Sequence, residues 1–211
     1  MPENSINISR IELVSPRRKI YALYSDGQLV CEVSENTLVH FALYKGTVLS
    51  TGEYDELLAY QEFDDCRQQA LRYLKNRPHL REELKTKLYR KQFRKPVIER
   101  VLHYLEDKNY LNDAEYIRLF TADALRAGKL GPLRIKQKLM QKGAAHALID
   151  EALLDFSEER QRDVCRRLAQ KKISQLAGLP TPERRKKVTA FLLQRGFYHG
   201  TIESVLSDNT P

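Results

Sequence analysis

One comparison of the chain with itself limits its fold more than any other feature. LKTKLYRKQFRKPVIERVL (Leu84–Leu102), IKQKLMQKGAAHALIDEAL (Ile135–Leu153) and VTAFLLQRGFYHGTIESVL (Val188–Leu206) carry apolar residues at the same offsets. Leu88, Leu139 and Leu192 correspond, and five residues on come Phe93, Ala144 and Phe197. Ile98, Ile149 and Ile202 lie ten residues on, and Leu102, Leu153 and Leu206 fourteen on. The period is 51 and then 53 residues, and the apolar spacing within each copy is helical. Each helix–turn–helix pair follows a further amphipathic stretch, at about 64–75, 113–127 and 157–175. Start signals agree: Asn112 with Glu115, Ser157 at a cap position, and Thr181 followed by Pro182 at the first helical position. The expected fold is mainly α, with three tandem three-helix repeats at 64–112, 113–156 and 157–211. Repeats that contact mainly their neighbours stack into an elongated, curved body.

Ahead of the repeats, residues 1–63 are predicted to form a small segment of β-hairpin and short helix. Residues 8–14 (ISRIELV) and 20–24 (IYALY) are rich in β-branched and aromatic side chains. Asp26-Gly27 between YALYS and QLVCEV is a type I′ hairpin signal. Ser34 can cap a short helix running to Leu43 and stopped by Lys45-Gly46. Ser50 with Glu53 forms a capping box for a second short helix.

Charge is divided along the chain. Residues 1–64 carry a net −5 and residues 65–211 a net +13, within a total of +8. An acidic head on a basic body implies a polyanionic partner for the body. Three cysteines (Cys31, Cys66, Cys165) without a CxxC spacing make neither a disulfide framework nor a zinc knuckle. The stretch MPENSINISR has no hydrophobic signal core, and no apolar run reaches bilayer-spanning length. These features predict a soluble protein of a reducing compartment, the cytoplasm, with no membrane partner.

No catalytic constellation emerges. Gly128-Lys129 fails as a phosphate loop, because Asp123 stands where glycine is needed and Leu130 where a Ser or Thr must reach Mg²⁺. The five histidines are dispersed, and His146 and His199 occupy equivalent repeat positions. Carboxylate neighbours such as Glu82-Glu83 and Glu158-Glu159 point about 100° apart on a helix, which makes a shared site poor. No cofactor, metal or catalytic residue is therefore expected. Base reading by helix-turn-helix geometry is disfavoured as well. The last helices of repeats two and three, AHALIDEALLDF and YHGTIESVLSD, lack Lys and Arg, so phosphate would repel them.

The cations lie on the first and middle helices instead. Arg126, Lys129, Arg134, Lys136, Lys138 and Lys142 stand in a carboxylate-free run from 124 to 149. A second run holds Arg160, Arg162, Arg166, Arg167, Lys171 and Lys172, and a third holds Arg184, Arg185, Lys186 and Lys187. The segment GPLRIKQKLMQKG (Gly131–Gly143) is the middle helix of repeat two, with Gly143 as its positive-φ stop. Arg134, Lys138 and Gln141 fall on one face, opposite Ile135 and Leu139. Matching basic runs in tandem repeats favour partner contact over a merely solvated face. The expected contact residues are Arg126, Lys129, Arg134, Lys138, Lys142, Arg162, Arg166, Arg167, Lys171, Arg184, Arg185 and Lys187. Phe93, Phe120, Phe156, Phe191 and Phe197 mostly sit at or near core-like repeat positions, which argues against base stacking and leaves phosphate contact alone, weak and salt-sensitive.

YLNDAEYIRLF (Tyr110–Phe120) followed by GPLRIKQKLMQKG resembles the RecX family of bacterial recombination regulators. Leu43-Tyr44-Lys45-Gly46 also matches a short family element, and the three tandem repeats match in order. This chain has Lys91-Gln92 where the family's first repeat usually has Lys-Gly, and Leu80 where a Ser usually precedes its Glu-Leu. The resemblance implies a monomer without enzymatic activity that binds the RecA recombinase filament, lying in its helical groove and suppressing strand exchange and ATP hydrolysis. A nonspecific DNA-binding protein that coats single or double strands is the alternative, and a phosphoryl-transfer enzyme a distant third.

Overall fold

A computed structural model describes residues 5–208. The first residues of MPENSINISR (1–4) and the end of the third repeat (209–211) lie outside the described residues. Two compact units make up the chain: residues 1–78 with 84–111, and residues 79–83 with 112–211.

In the first unit, strands β2 (Arg10–Ser15), β3 (Ile20–Ser25) and β4 (Gln28–Ser34) form an antiparallel meander. Asp26 and Gly27 both have positive φ (50° and 80°), the geometry of the expected type I′ turn, and Ser25 faces Gln28 across it. The expected strand over 8–14 is broken near its start. Strand β1 (Ile6–Asn7) pairs instead with β5 (Val48–Leu49), and the Gly46 N–H donates to the Ile8 carbonyl. Ile8 is thereby drawn into a core with Leu23, Val33, Leu43, Leu49 and Leu57.

Helix α1 (Glu35–His40) is capped by Ser34, as expected, but stops at His40, short of Leu43. Its brake is Ala42, which takes a positive φ of 47° before Lys45-Gly46 is reached. The capping box at Ser50 and Glu53 is formed, yet the helix it opens is not short. Helix α2 (Thr51–Asn76) runs unbroken for 26 residues through the expected boundary at 63/64. No Pro lies between Thr51 and Asn76, and the one glycine, Gly52, is in its first turn, so nothing halts the helix until Arg77-Pro78. A buried polar network fastens its middle to β4 and α1. Ser34 Oγ donates to Asp64 Oδ2 at 2.7 Å, the Ser34 N–H to Gln61 Oε1 at 2.8 Å, and Thr37 Oγ1 to Gln61 Oε1 at 2.6 Å. Arg67 supplies Asp64 with an ion pair. The later half of α2 packs Cys66 and Ala70 on Leu84 and Leu88 of α3 (Arg81–Tyr89) and on Ile98, Val101, Leu102 and Leu105 of α4 (Lys95–Asp107).

The second unit holds the second and third repeats: α5 (Asp113–Ala127), α6 (Pro132–Met140) and α7 (His146–Leu153), then α8 (Glu158–Gln175), α9 (Thr181–Gln194) and α10 (His199–Ser207). The residues matched by self-comparison, Leu139, Leu192, Phe197, Ile149 and Ile202 among them, are buried in one core. Asn112 Oδ1 accepts the Glu115 N–H at 2.9 Å, and Ser157 accepts the Arg160 N–H at 3.3 Å. Thr181 is not a cap. It is the first helical residue of α9, with Pro180 in the cap position.

Candidate partner-binding surface

Neighbouring carboxylates sort the cations of the second unit into two groups. Arg126 pairs with Asp123 at 3.2 Å, Arg162 with Glu158 at 3.9 Å, and Arg166 with both Asp163 at 3.2 Å and Asp208 at 3.6 Å. Arg185 meets Glu203 and Lys187 meets Glu183, each at 2.8 Å. Lys142 faces Glu83 at 3.6 Å and lies 5.9 Å from the Tyr116 ring centre. Arg184 reaches only its own helix, donating to Thr181 Oγ1 at 3.4 Å. Arg167 donates to the Gly128 carbonyl at 3.1 Å and so closes the left-handed end of α5. These side chains have internal work, and Arg167 is a structural bond in a partly buried place.

Of the expected contact residues, Lys129, Arg134, Lys138, Arg167, Lys171 and Arg184 have no carboxylate partner among the described residues. Two of them, Arg134 and Lys138, share a groove. Helix α6 begins at Pro132, whose fixed φ suits a first helical position, and it buries Ile135 and Leu139 completely. Arg134 and Lys138 are therefore turned outward, one helical turn apart. The end of α9 contributes Phe191, Gln194 and Arg195 to the lining of the groove, and Leu130 completes it. Arg195 lies 5.0 Å and Lys172 Nζ 5.5 Å from the centre of the Phe191 ring. No Asp or Glu among the described residues lines this groove. Arg134 donates to Gln137 Oε1 at 2.5 Å, a neutral acceptor that leaves its charge intact.

Arg134, Lys138 and Arg195, gathered without counter-charge, repel one another, and an arriving anion relieves that repulsion. Phe191 offers its ring as a neutral ground on which Arg195 and Lys172 are held. A cleft of the first unit is unlike this groove. Arg17, Arg18, Lys19 and Arg72 there stand among Glu32, Glu35, Asp64 and Asp65, so its charges cancel. Among the described residues, no cluster of three or more His, Cys, Asp or Glu is arranged to hold a metal. No helix among them is long and apolar enough to cross a membrane.

The expected contact residues are thus dispersed. Arg126 lines a separate cleft with Arg118, Arg160 and Asp155. Sequence reasoning missed Arg195, Phe191, Gln194 and Leu130. Arg195 was within reach of the self-comparison, since it shares its repeat position with Lys91 and Lys142, one residue before the turn. Phe191, expected at or near the core, packs against it half-buried, and its remaining face lines the groove.

Tandem three-helix repeats behind a small β-containing segment, with a cation-lined groove between two middle helices, define a class of basic helical-repeat protein. Models of the first, second and third three-helix domains of RecX match residues 66–105, 112–153 and 158–206. A regulatory protein RecX of Lactobacillus delbrueckii subsp. bulgaricus is 31% identical over 195 residues, covering 92% of this chain and 72% of the relative. Another, from Streptococcus uberis, is 27% identical and covers 93% and 75%. A crystal structure of regulatory protein RecX superposes with a TM-score of 0.78 at 27% identity, over 96% of this chain and 99% of that one. The RecX structure from Lactobacillus salivarius, at 22% identity and a TM-score of 0.65, covers 70% and 96% and shares the fold. The chain belongs to the RecX family of regulatory proteins.

Proposed function

We propose that this protein is a non-enzymatic regulator that binds the RecA recombinase and its nucleoprotein filament as a monomer in the cytoplasm, and inhibits strand exchange and ATP hydrolysis. The observation that carries this reading is the groove of Arg134, Lys138 and Arg195, which has no carboxylate in its lining among the described residues. Such a surface suits the anionic face of a filament, made of acidic side chains and DNA phosphates. Family membership supports a regulatory role, and the partner follows from the resemblance of the YLNDAEYIRLF and GPLRIKQKLMQKG segments.

The test is the ATPase rate of RecA on single-stranded DNA with and without this protein. Wild type should lower that rate. Arg134→Glu with Lys138→Glu should weaken inhibition about tenfold or more, or about 1.4 kcal/mol, because each charge facing an anionic surface becomes repulsive. The melting temperature should stay within a few degrees, since exposed substitutions usually cost within ~0.5 kcal/mol. Unchanged inhibition by the double variant would reduce the groove to a solvated face. Tight binding to bare DNA without any effect on RecA would favour the alternative, a nonspecific DNA-coating protein.

A further inference from the structure

The two walls of the basic groove are joined by backbone. Helix α6 starts against the end of α9: the Gly131 N–H donates to the Arg195 carbonyl at 2.7 Å, and the Leu133 N–H to the Gly196 carbonyl at 3.0 Å. These are first-turn donors that lack a partner inside their own helix, so the end of α9 caps α6. Neither glycine has room for a side chain. A Cβ on Gly131 would stand 2.4 Å from the Gly196 oxygen, and one on Gly196 would stand 2.3 Å from the Arg134 nitrogen. Arg195 accepts one of the two bonds, and Arg134 is the residue that Gly196 touches. The clasp therefore engages one cation of each wall through its backbone.

We propose that the Gly131–Gly196 clasp is the positioning device of the groove: it fixes α6 against α9 so that Arg134 and Lys138 face Arg195 at a set spacing. This rests on the groove being the partner-binding surface. The other repeats provide an internal comparison. Gln92, Gly143 and Gly196 occupy one repeat position, and all have positive φ (65°, 85° and 85°). Gly143 is pressed on the start of α3, where its Cβ would lie 2.6 Å from Glu82 Cβ. Gln92 is in the first repeat, so no preceding repeat offers it a helix start, and its side chain is exposed. Positive φ alone thus tolerates Gln92. The glycines answer to close approach by the repeat before them.

The experiment compares Gly131→Ala with Gly143→Ala in the full chain. Gly131 has a φ of −85°, so alanine brings no left-handed strain, only the collision with Gly196. Gly143→Ala brings strain and a collision at the other joint, away from the groove. Spin labels at Met140→Cys on α6 and Leu193→Cys on α9, in a Cys31→Ser background, report the spacing of the walls. Gly131→Ala should shift or broaden that distance and weaken inhibition of RecA ATPase about tenfold, the scale of effect expected when a site is loosened by about 1 Å. Gly143→Ala should leave the distance unchanged and inhibition within about twofold when both are assayed below their melting temperatures. An unchanged distance in Gly131→Ala, or equal losses in both variants, overturns the proposal. A changed distance with full inhibition leaves the clasp as the setter of the spacing and removes the groove from partner binding. Hydrogen exchange on the unsubstituted protein tests the clasp without any variant: the Gly131 and Leu133 amides should exchange as slowly as that of Leu139, and fast exchange overturns it.

Discussion

At the scale of single residues, burial decides which groups are available for chemistry. Cys66 and Cys165 are fully buried, and loss of hydration pushes their thiols up to about 12 and about 11. Cys31 is half-buried, and burial raises its thiol as well. The thiolate is the reactive form, so at pH 8 all three should resist alkylation in the folded protein. Mass spectrometry after iodoacetamide should find Cys66 and Cys165 unmodified until denaturant is added; rapid native labelling of either would contradict their burial. The sequence permitted this reading, because a cysteine without CxxC partners at a helical core spacing is a small hydrophobe. Asp64 was not legible in that way. It lies in an acidic stretch that looks solvated, yet it is fully buried and holds Ser34, Asn36 and Arg67 together. Its importance comes from contacts with residues some thirty positions earlier, which no local pattern encodes. Asp64→Ala should destabilise the protein by about 1–3 kcal/mol in denaturant titration, because it leaves the buried Ser34 hydroxyl and the partly buried Arg67 guanidinium without their acceptor. A loss near zero would show that this network is dispensable.

At the scale of elements, the self-comparison located the second and third helices of every repeat, because their core positions recur with the helical period. Ends and lengths were harder. Helix α2 was divided in two because its capping box and its amphipathic second half each gave a signal, and nothing in the intervening residues announced continuity. The structure shows why one helix is favoured: Gln61 and Asp64, in the middle, are the residues bonded to Ser34 and Thr37. Between these two, Glu62 faces Arg94 at the cap of α4, and this guanidinium holds the Glu62 carboxyl below its usual range. A carboxyl lowered in the folded state contributes stability above its unfolded pKa and loses it as pH falls through the folded one. Glu62→Gln should therefore reduce the melting temperature slightly at pH 7 and not at all at a pH below the folded value. Equal melting shifts at both pH values would mean that packing, not charge, is responsible. The effect is small, since this pair is largely exposed and such pairs contribute about 0–1 kcal/mol.

At the scale of the whole molecule, net charge alone does not identify a binding surface. The total of +8 and the basic 65–211 region were legible at once, and so was the position of Arg134 and Lys138 on an outward face. Which cations keep their charge unopposed was legible only in part: same-helix pairs such as Arg126–Asp123, Arg162–Glu158 and Lys187–Glu183 follow from spacing, but Glu203 for Arg185, Asp208 for Arg166 and Glu83 for Lys142 come from other parts of the chain. This difference separates long-range attraction from a defined site. Lys138→Gln and Lys187→Gln each remove one positive charge and leave the same formal total, yet Lys138 lies in the carboxylate-free groove while Lys187 is paired with Glu183. If inhibition of the RecA filament depended on total charge, both variants would weaken it equally. If the groove is the contact, Lys138→Gln should weaken inhibition several-fold and make its dependence on salt shallower by about one charge, whereas Lys187→Gln should leave both within error. Titrating inhibition of RecA ATPase at several salt concentrations for the two variants decides the matter, because screening acts on every charge in the molecule but the slope counts only those that meet the partner.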